Sequence, residues 1–261
     1  MDTQQQTQFK VLLIGETCED GYIYGSVDRI SPEAPIPILK YERVETSLGM
    51  SANVKRNLES LGMFVNHITN KSLIKKTRII HSQSNQQMLR IDEDDCVDPI
   101  KPSEVKSAFL HLSYDVIVIS DYDKGFLTTE DLKTICKNFN GPVFIDTKKR
   151  DLFTESNVVF KINQKEYDNL INKPNAKNLI VTKGSFGVEY CNSIYPANQV
   201  TVFDVVGAGD TFLAALVYAF LNCKNEDSKI ETAITFANKA AAISVQHYGC
   251  YTLTQEDIRG V

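Results

Sequence analysis

The 261-residue sequence lacks the features of several well-known protein classes. Its longest apolar run, FLAALVYAFL (Phe212–Leu221), is about half the length that a helix needs to cross a bilayer. No window resembles a secretory signal peptide. The formal net charge of −5 argues against a nucleic-acid binder that depends on contacts with phosphate groups. We therefore expect a cytoplasmic protein that binds neither membrane nor nucleic acid.

Clusters of cysteine or histidine are also missing. The six cysteines are scattered without a CxxC pair, and the four histidines are equally dispersed. Scattered cysteines are typical of reduced thiols that serve as small core or surface residues. The sequence thus shows no metal site built from thiols and imidazoles.

The sequence does contain short apolar runs that alternate with helical patterns. Hydrophobic residues make up 43% of the chain, enough for one large core or two small ones. The apolar runs are typical of strands that are covered on both faces. They are FKVLLIGE, DVIVIS (Asp115–Ser120), PVFID (Pro142–Asp146), NVVFKIN (Asn157–Asn163) and NLIVTKG (Asn178–Gly184).

Helical patterns separate several of these runs. SANVKRNLESLG places apolar side chains on one helical face and ends at Gly62, and TTEDLKTICKNF begins with a threonine cap and acidic residues. The last third of the chain is predicted to be mostly helical, over Thr211–Leu221 and Ile230–Val245. Alternating strands and helices predict an α/β fold in three layers, with helices on both faces of a mainly parallel sheet.

We predict one domain over residues 1–261. Residues 1–8 are polar and are expected to form a disordered tail. Residues 22–48 carry three prolines among alternating apolar residues, and proline in a sheet is confined to edges. This segment is therefore predicted to be a small exposed β-element that serves as a lid over the site, as an interface, or as both.

The stretch DVVGAGDTFLAAL places a carboxylate, Asp210, directly after a glycine turn and at the start of an apolar helix. A helix N-terminus offers unpaired N–H groups and the positive end of a dipole, which together suit phosphate oxygens. Gly207, Ala208 and Gly209 would bring that backbone close to an anion, and Asp210 could accept a proton from an attacking hydroxyl. The same residues could also form no more than a glycine turn capped by an acid.

Two other strand ends carry weaker signals. In NQKE, an amide and a carboxylate share one face of a helix turn, and Asn163 and Glu166 could supply oxygen ligands to magnesium, directly or through water. VTKGSFG is either a loop that faces a nucleotide or a hairpin turn. A dinucleotide fingerprint is excluded because Phe212 stands where it needs a third glycine, and the chain has no Walker A motif.

Taken together and in this order, these motifs resemble those of the ribokinase-like (PfkB) carbohydrate kinases. RISPEAPIP, NQQMLRID and VIVISDYDKGFLT further resemble the kinase domain of heptose 7-phosphate kinases, over nearly the whole chain. The resemblance implies transfer of the γ-phosphate of ATP, with Mg²⁺, to the anomeric hydroxyl of D-glycero-β-D-manno-heptose 7-phosphate. That step leads toward the lipopolysaccharide inner core. No nucleotidyltransferase domain is expected in this chain.

The resemblance also implies residue roles. Asp210 would be the catalytic base, and Gly207, Ala208 and Gly209 would form the anion hole. The predicted ligands of the nucleotide and its metal are Asn163, Glu166, Thr182, Gly184, Gly187 and Asn238, with Asn163 and Glu166 nearest magnesium. The predicted ligands of the sugar and its phosphate are Asp20, Gly49, Asn53, Arg78, Gln87, Arg90 and Lys148. Each of the basic residues could equally be a solvated surface charge.

The sequence departs from the family pattern at four places. Met50 replaces the second glycine of the Gly-Gly pair on the sugar side, and Glu16 replaces an aspartate. The segments 63–77 and 167–178 are shorter than in relatives. Two alternatives therefore stay open, a kinase of this family for another sugar and a binding protein that no longer turns over. Related kinases pair through such a lid, so a homodimer is a further hypothesis.

Overall fold

The computed structural model describes residues 8–93, 95–111 and 113–259 of the chain. They form one large sheet with helices on both faces, and a second, smaller sheet beside it. The predicted tail, residues 1–8, lies outside the described part except for Gln8. No helix in the described part is both long enough and apolar enough to cross a bilayer.

The large sheet has eight strands in the order β12-β11-β10-β9-β8-β7-β1-β4. Its strands are β1 (Lys10–Gly15), β4 (Phe64–Ile68), β7 (Val116–Asp121), β8 (Val143–Thr147), β9 (Val158–Asn163), β10 (Leu179–Thr182), β11 (Val188–Tyr190) and β12 (Ser193–Tyr195). The pairs from β4 to β10 are parallel, and the last two pairs are antiparallel. The five apolar runs of the sequence are all strands of this sheet, as predicted.

Helices cover both faces of the large sheet, and each face has its own apolar core. The helices are α1 (Ser51–Ser60), α2 (Pro102–His111), α3 (Thr129–Lys137), α4 (Gln164–Asp168), α5 (Ala208–Asn222), α6 (Lys229–Ser244) and α7 (Gln255–Arg259). Helices α1, α5 and α6 pack on one face, and α2 and α3 pack on the other. The three-layer prediction is confirmed.

The smaller sheet has four strands in the order β3-β2-β5-β6. They are β2 (Thr17–Ile30), β3 (Pro37–Met50), β5 (Ile74–His81) and β6 (Gln86–Glu93). Strand β2 follows β1 almost directly, β3 leads straight into α1, and β5 follows β4 after five residues. The smaller sheet is therefore joined to the rest of the protein by short connections at all three places. The predicted β-element is present but larger than residues 22–48, because residues 74–93 add two strands whose charged side chains concealed their alternation.

Candidate active site

The turn before α5 places a carboxylate at the carboxyl edge of the large sheet. Gly207 is the N-cap residue, and its φ of 75° lies in the left-handed region that glycine adopts without strain. Asp210 follows in the first helical turn, with only 5% of its surface exposed. The apolar residues after it are buried in the core, so the helix is firmly held. The fold therefore fixes the position of the carboxylate.

Two donors hold the Asp210 carboxylate, one at each oxygen. Asn53 Nδ2 in α1 donates to Oδ2 over 3.0 Å, and the Tyr122 hydroxyl after β7 donates to Oδ1 over 3.0 Å. Burial raises the pKa of Asp210 to about 6, while the bonds from Asn53 and Tyr122 lower it. Asp210 is thus ionised at neutral pH but close enough to neutrality to accept a proton.

A buried lysine lies beside the same turn. Lys161 on β9 is only 4% exposed and pairs with Asp146, its register neighbour on β8. A Cβ at Gly209 would lie 2.9 Å from Lys161 Nζ, so the glycine makes room for the ammonium group. The positive end of α5 and a buried cation therefore meet at one point, which favours an anion there.

A cavity of about 230 Å³, the helix cavity, lies on one side of the turn, between the loop after β10 and helices α5 and α6. Thr182, Gly184, Gly187 and Asn238, all predicted nucleotide ligands, line it together with Ala208 and Gly209. Asn238 Nδ2 also donates to the carbonyl of Tyr195 over 3.0 Å, which holds the chain after β12 against α6.

A second cavity of about 640 Å³, the lid cavity, lies on the other side, between the smaller sheet and the loops around residues 203–206 and 248–250. Arg78 and Gln87 line it as predicted, and so do Arg43, Tyr22 and Tyr24. Phe203 and Tyr248 face them as an aromatic pair with ring centroids 5.7 Å apart. This cavity is both more polar and larger than the helix cavity.

The glycine turn separates the two cavities. Val206 lines the lid cavity, whereas Val205, Ala208 and Gly209 line the helix cavity. A ligand in each cavity would therefore meet the other at the N-terminus of α5, where Asp210 is held. This arrangement suits transfer of an anionic group between two bound molecules.

The base of the lid is tied together by a buried ion pair. Arg78 Nη1 lies 2.6 Å from Asp20 Oδ1, and both side chains are at least 85% buried. A Cβ at Gly49 would fall 2.0 Å from Asp20 Oδ2, so only glycine lets the carboxylate occupy this place. Asp20 and Gly49 thus act together, and a large part of the charge of Arg78 is already balanced.

The predicted metal ligands form a capping box. Asn163 Oδ1 accepts the Glu166 N–H over 2.9 Å, and Glu166 Oε2 accepts the Asn163 N–H over 2.8 Å. The other carboxylate oxygen of Glu166 pairs with Lys148. The described residues include no group of three or more Asp, Glu, His or Cys side chains placed to hold a metal. These residues fit a magnesium ion whose ligands are mostly water and phosphate oxygens.

Comparison with known families identifies the chain. Residues 105–257, more than half of it, match the pattern of the pfkB family carbohydrate kinases. The chain belongs to the pfkB family of carbohydrate kinases. The residues that carried the resemblance in the sequence include the glycine turn and Asp210, which lie within this match.

The curated relatives point to one branch of the pfkB family. The chain is 31% identical to the bifunctional protein HldE of a Nitratiruptor species and 30% identical to that of Campylobacter jejuni. The alignments cover 95% and 97% of this chain but only 64% and 65% of those proteins. The chain thus spans less than two thirds of the length of these relatives.

Solved structures of two other kinases share the fold. Ribokinase of Thermotoga maritima aligns over 97% of this chain and 98% of its own, with a TM-score of 0.64 and 18% identity. Phosphofructokinase-2 of Escherichia coli aligns over 97% of both chains, with a TM-score of 0.70 and 15% identity. The ribokinase-like fold class expected from the sequence is confirmed.

Three of the predicted sugar ligands have surroundings that differ from the expectation. Asn53 is fully buried and its amide donates to Asp210, so it holds that carboxylate. Lys148 pairs with Glu166 beside the Tyr122 ring and does not line the lid cavity. Arg90 pairs with Asp92 and does not line the lid cavity. These three roles depend on side-chain direction, which motif spacing does not convey.

Three residues of the site went unnoticed in the sequence: Tyr122, Lys161 and Arg43. Tyr122 directly follows β7 in the motif VIVISDYDKG, and Lys161 lies on β9 in the motif NVVFKIN. A lysine inside an otherwise apolar strand was a usable signal, because buried lysines need a partner or a function. Arg43 gave no such signal, since it lies in a strand that alternates charged and apolar residues.

Proposed function

We propose that the protein is an ATP-dependent kinase that phosphorylates a sugar hydroxyl, with D-glycero-D-manno-heptose 7-phosphate as the preferred acceptor. The observation that carries this proposal is the buried Asp210, held by two donors at a helix N-terminus between two cavities. ATP would lie in the helix cavity and the sugar in the lid cavity. Family membership supports the reaction class, and the HldE relatives support the heptose acceptor.

In this reaction Asp210 accepts the proton of the sugar hydroxyl, most directly the anomeric one. The sugar oxygen bonds to the γ-phosphorus, the bond from that phosphorus to its bridging oxygen breaks, and ADP leaves. The N-terminus of α5 and the ammonium group of Lys161 would stabilise the negative charge on the transferring group. Lys148, placed near Asp210 and Glu166, would do the same from the other side.

Magnesium bound with ATP would neutralise phosphate charge, with Asn163 and Glu166 near it through water. Asn163 and Glu166 also have structural roles within the protein. Their capping box fixes the first turn of α4 at the carboxyl end of β9, and Glu166 keeps Lys148 at the edge of the site.

The lid cavity offers cations for the phosphate that the acceptor already carries. Arg78 is largely balanced by Asp20, whereas the Arg43 side chain is 53% exposed and, among the residues that the structure describes, forms an ion pair with Glu45 alone. The Arg43 guanidinium carbon lies 3.9 Å from the centre of the Tyr24 ring, which holds the group at the wall of the cavity. We assign the distal phosphate to Arg43 with Arg78, since a weak exposed pair exchanges easily for a phosphate.

The outer face of the smaller sheet supports the homodimer hypothesis. Val44, Ile23, Ile79 and Leu89 are register neighbours across all four strands, so they form one apolar row. Val44 and Leu89 are each more than half exposed. The opposite face, with Tyr22 and Arg78, lines the lid cavity. A second copy covering the apolar row would leave that cavity open to substrate.

The test is ADP release from ATP and Mg²⁺ with a panel of free and phosphorylated sugars, run beside Asp210→Asn. We expect release with heptose 7-phosphate, little release with the free heptose, and a loss on the order of 10² to 10⁴ in the variant. ATP binding by calorimetry should be nearly the same for both proteins, since Asp210 lies beyond the residues that line the helix cavity.

Other outcomes separate the alternatives. Release with a different sugar, abolished by Asp210→Asn, would keep the mechanism and replace the acceptor. No ADP release with any sugar of the panel, together with normal ATP binding, would mean that the protein binds nucleotide without turnover. Full activity of Asp210→Asn would contradict the assignment of the base.

A further inference from the structure

Asp210 is contacted by a tyrosine that no motif assigned. The Tyr122 hydroxyl donates to Asp210 Oδ1 over 3.0 Å, opposite the Asn53 amide on Oδ2. Burial first, and the nearby Asp210 charge second, hold the pKa of Tyr122 well above its usual value. The hydroxyl therefore stays protonated across the working pH range and is a permanent donor to the carboxylate.

The Tyr122 ring is held on several sides. It packs against the small apolar cluster of Cys18, Met50 and Ile74 beneath the lid. Lys148 Nζ lies 5.1 Å and Lys76 Nζ lies 5.8 Å from the ring centre. Packing and flanking cations thus restrict the ring, so that its hydroxyl can meet Asp210 in one orientation.

The backbone of Tyr122 is held by a buried carboxylate. Glu16 has no exposed surface, and its two oxygens accept the N–H groups of Tyr122 over 2.8 Å and of Lys124 over 3.0 Å. Asp123 between them has a φ of 55°, a conformation that needs such support. The Glu16 side chain thus spans from the end of β1 to this turn.

We propose that Tyr122 is a positioning residue for Asp210, and that Glu16 holds the turn that carries it. The inference rests on the proposed function, in which Asp210 is the base. The hydroxyl fixes one carboxylate oxygen and stabilises the ionised form, as hydrogen bonds to a buried charge do. Buried Glu16 is thus linked to Asp210 through Tyr122. Glu16 accepts the backbone N–H of Tyr122, and the hydroxyl of the same tyrosine donates to Asp210.

The charged and titratable groups around Asp210 come from several elements. Their combined effect sets its ionisation, in which burial and Asp146 oppose the charged form while Lys161, Asn53 and Tyr122 favour it. The neighbours are Tyr122 after β7, Asp146 on β8, Lys148 after β8, Lys161 on β9, Cys250 after α6 and the neutral Asn53 on α1. Removal of the Tyr122 hydroxyl alone leaves the other groups in place.

The test is the pH dependence of kcat/KM for Tyr122→Phe. Activity requires ionised Asp210, so the wild type should lose activity as the pH falls through about 6. Without the Tyr122 donor, the fall of kcat/KM at acid pH, the acid limb, should move up by about one pH unit, and kcat/KM should return toward the wild-type value at higher pH. An acid limb that does not move would overturn the proposal.

The matched control is Tyr251→Phe, because the Tyr251 hydroxyl also donates to an aspartate, Asp257, over 3.0 Å, away from the base. Its acid limb should stay in place. Glu16→Asp is a second variant that keeps the charge but shortens the reach to the turn. It should move the limb in the same direction as Tyr122→Phe, and an unchanged limb would remove Glu16 from the proposal.

A direct measurement separates this inference from the proposed function. In wild-type protein labelled at the tyrosine Cζ carbons, the Tyr122 signal should titrate with the Asp210 carboxyl carbon, and Asp210→Asn should abolish that titration. This holds even if no sugar is phosphorylated, and it does not depend on the folding of a Tyr122 variant. A Tyr122 signal that is insensitive to the ionisation of Asp210 would overturn the proposal.

Discussion

At the scale of single residues, Gly207 has two reasons to be glycine. Its φ of 75° disfavours any side chain, and a Cβ there would lie 2.7 Å from Asn53 Nδ2, the atom that donates to Asp210. The first reason is a matter of stability. The second couples the glycine to Asp210, because displacement of Asn53 would release one oxygen of that carboxylate.

We predict that Gly207→Ala lowers both stability and activity. The free energy of unfolding should fall by about 1–2 kcal/mol from the left-handed backbone alone. Because Asn53 must shift as well, kcat should fall by tenfold or more, on the order of one lost hydrogen bond to a charged group. Denaturant unfolding and the ADP-release assay measure the two effects.

Gly62→Ala is the matched control for Gly207→Ala. Gly62 also has a positive φ, 87°, but a Cβ there meets nothing within 4 Å, and the residue follows α1 away from the site. It should lose stability by a similar amount and keep its kcat. Equal loss of kcat in both variants would count against the coupling through Asn53.

At the scale of elements, the junction between β3 and α1 explains how Met50 is accommodated. Met50 has φ 56° and ψ −131°, a conformation that glycine adopts far more easily than methionine. Its side chain is buried with Cys18 and Ile74 and does not line the lid cavity. Met50 therefore strains the backbone while its side chain fills the core beneath the lid, and it leaves the lid cavity open.

This geometry predicts an unusual order of stability at position 50. A strained backbone of this kind costs about 1–3 kcal/mol, which glycine relieves and alanine does not. Met50→Gly should therefore be more stable than Met50→Ala. At Met63, also buried but without a positive φ, alanine should be more stable than glycine by about 0.5–1 kcal/mol. Thermal and denaturant unfolding of the four variants would decide, and the same order at both positions would contradict the strain.

At the scale of the whole molecule, the smaller sheet has two faces with different uses. One face lines the lid cavity, and the other presents the apolar row of Val44, Ile23, Ile79 and Leu89. Because only one face of this sheet is covered, the other face exposes apolar area that a partner would bury. The row spans all four strands, including the two that residues 74–93 contribute.

We predict that the wild type is a dimer by light scattering and that Leu89→Glu is a monomer. A charge in the apolar row should not be tolerated in an interface, even at Leu89, the end of the row on the edge strand β6. Leu89 is 54% exposed, so its replacement should leave the fold intact. Ile194→Glu is the matched control, because Ile194 is equally exposed on β12, at the far edge of the large sheet. A wild-type monomer at working concentration would dismiss the dimer.

The sequence by itself determined the fold class, the strands of the parallel sheet and the site's glycine turn with Asp210. These features are local: strand and helix periods, caps and a glycine turn are set by neighbouring residues. The sequence also grouped Thr182, Gly184, Gly187 and Asn238 as predicted nucleotide ligands, since the motif order resembles that of a known family. These four residues do line one cavity, and the binding of a nucleotide there stays a prediction.

Only the tertiary structure decided which side chains meet. Tyr122 and Asn53 lie 88 and 157 residues from Asp210 in the chain, and their contacts with it depend on three elements packing at one edge of the sheet. The same holds for Lys161 beneath Gly209, for Arg43 at the wall of the lid cavity, and for strands β5 and β6 in the lid. Side-chain direction and long-range pairing depend on the whole core, which no local pattern records.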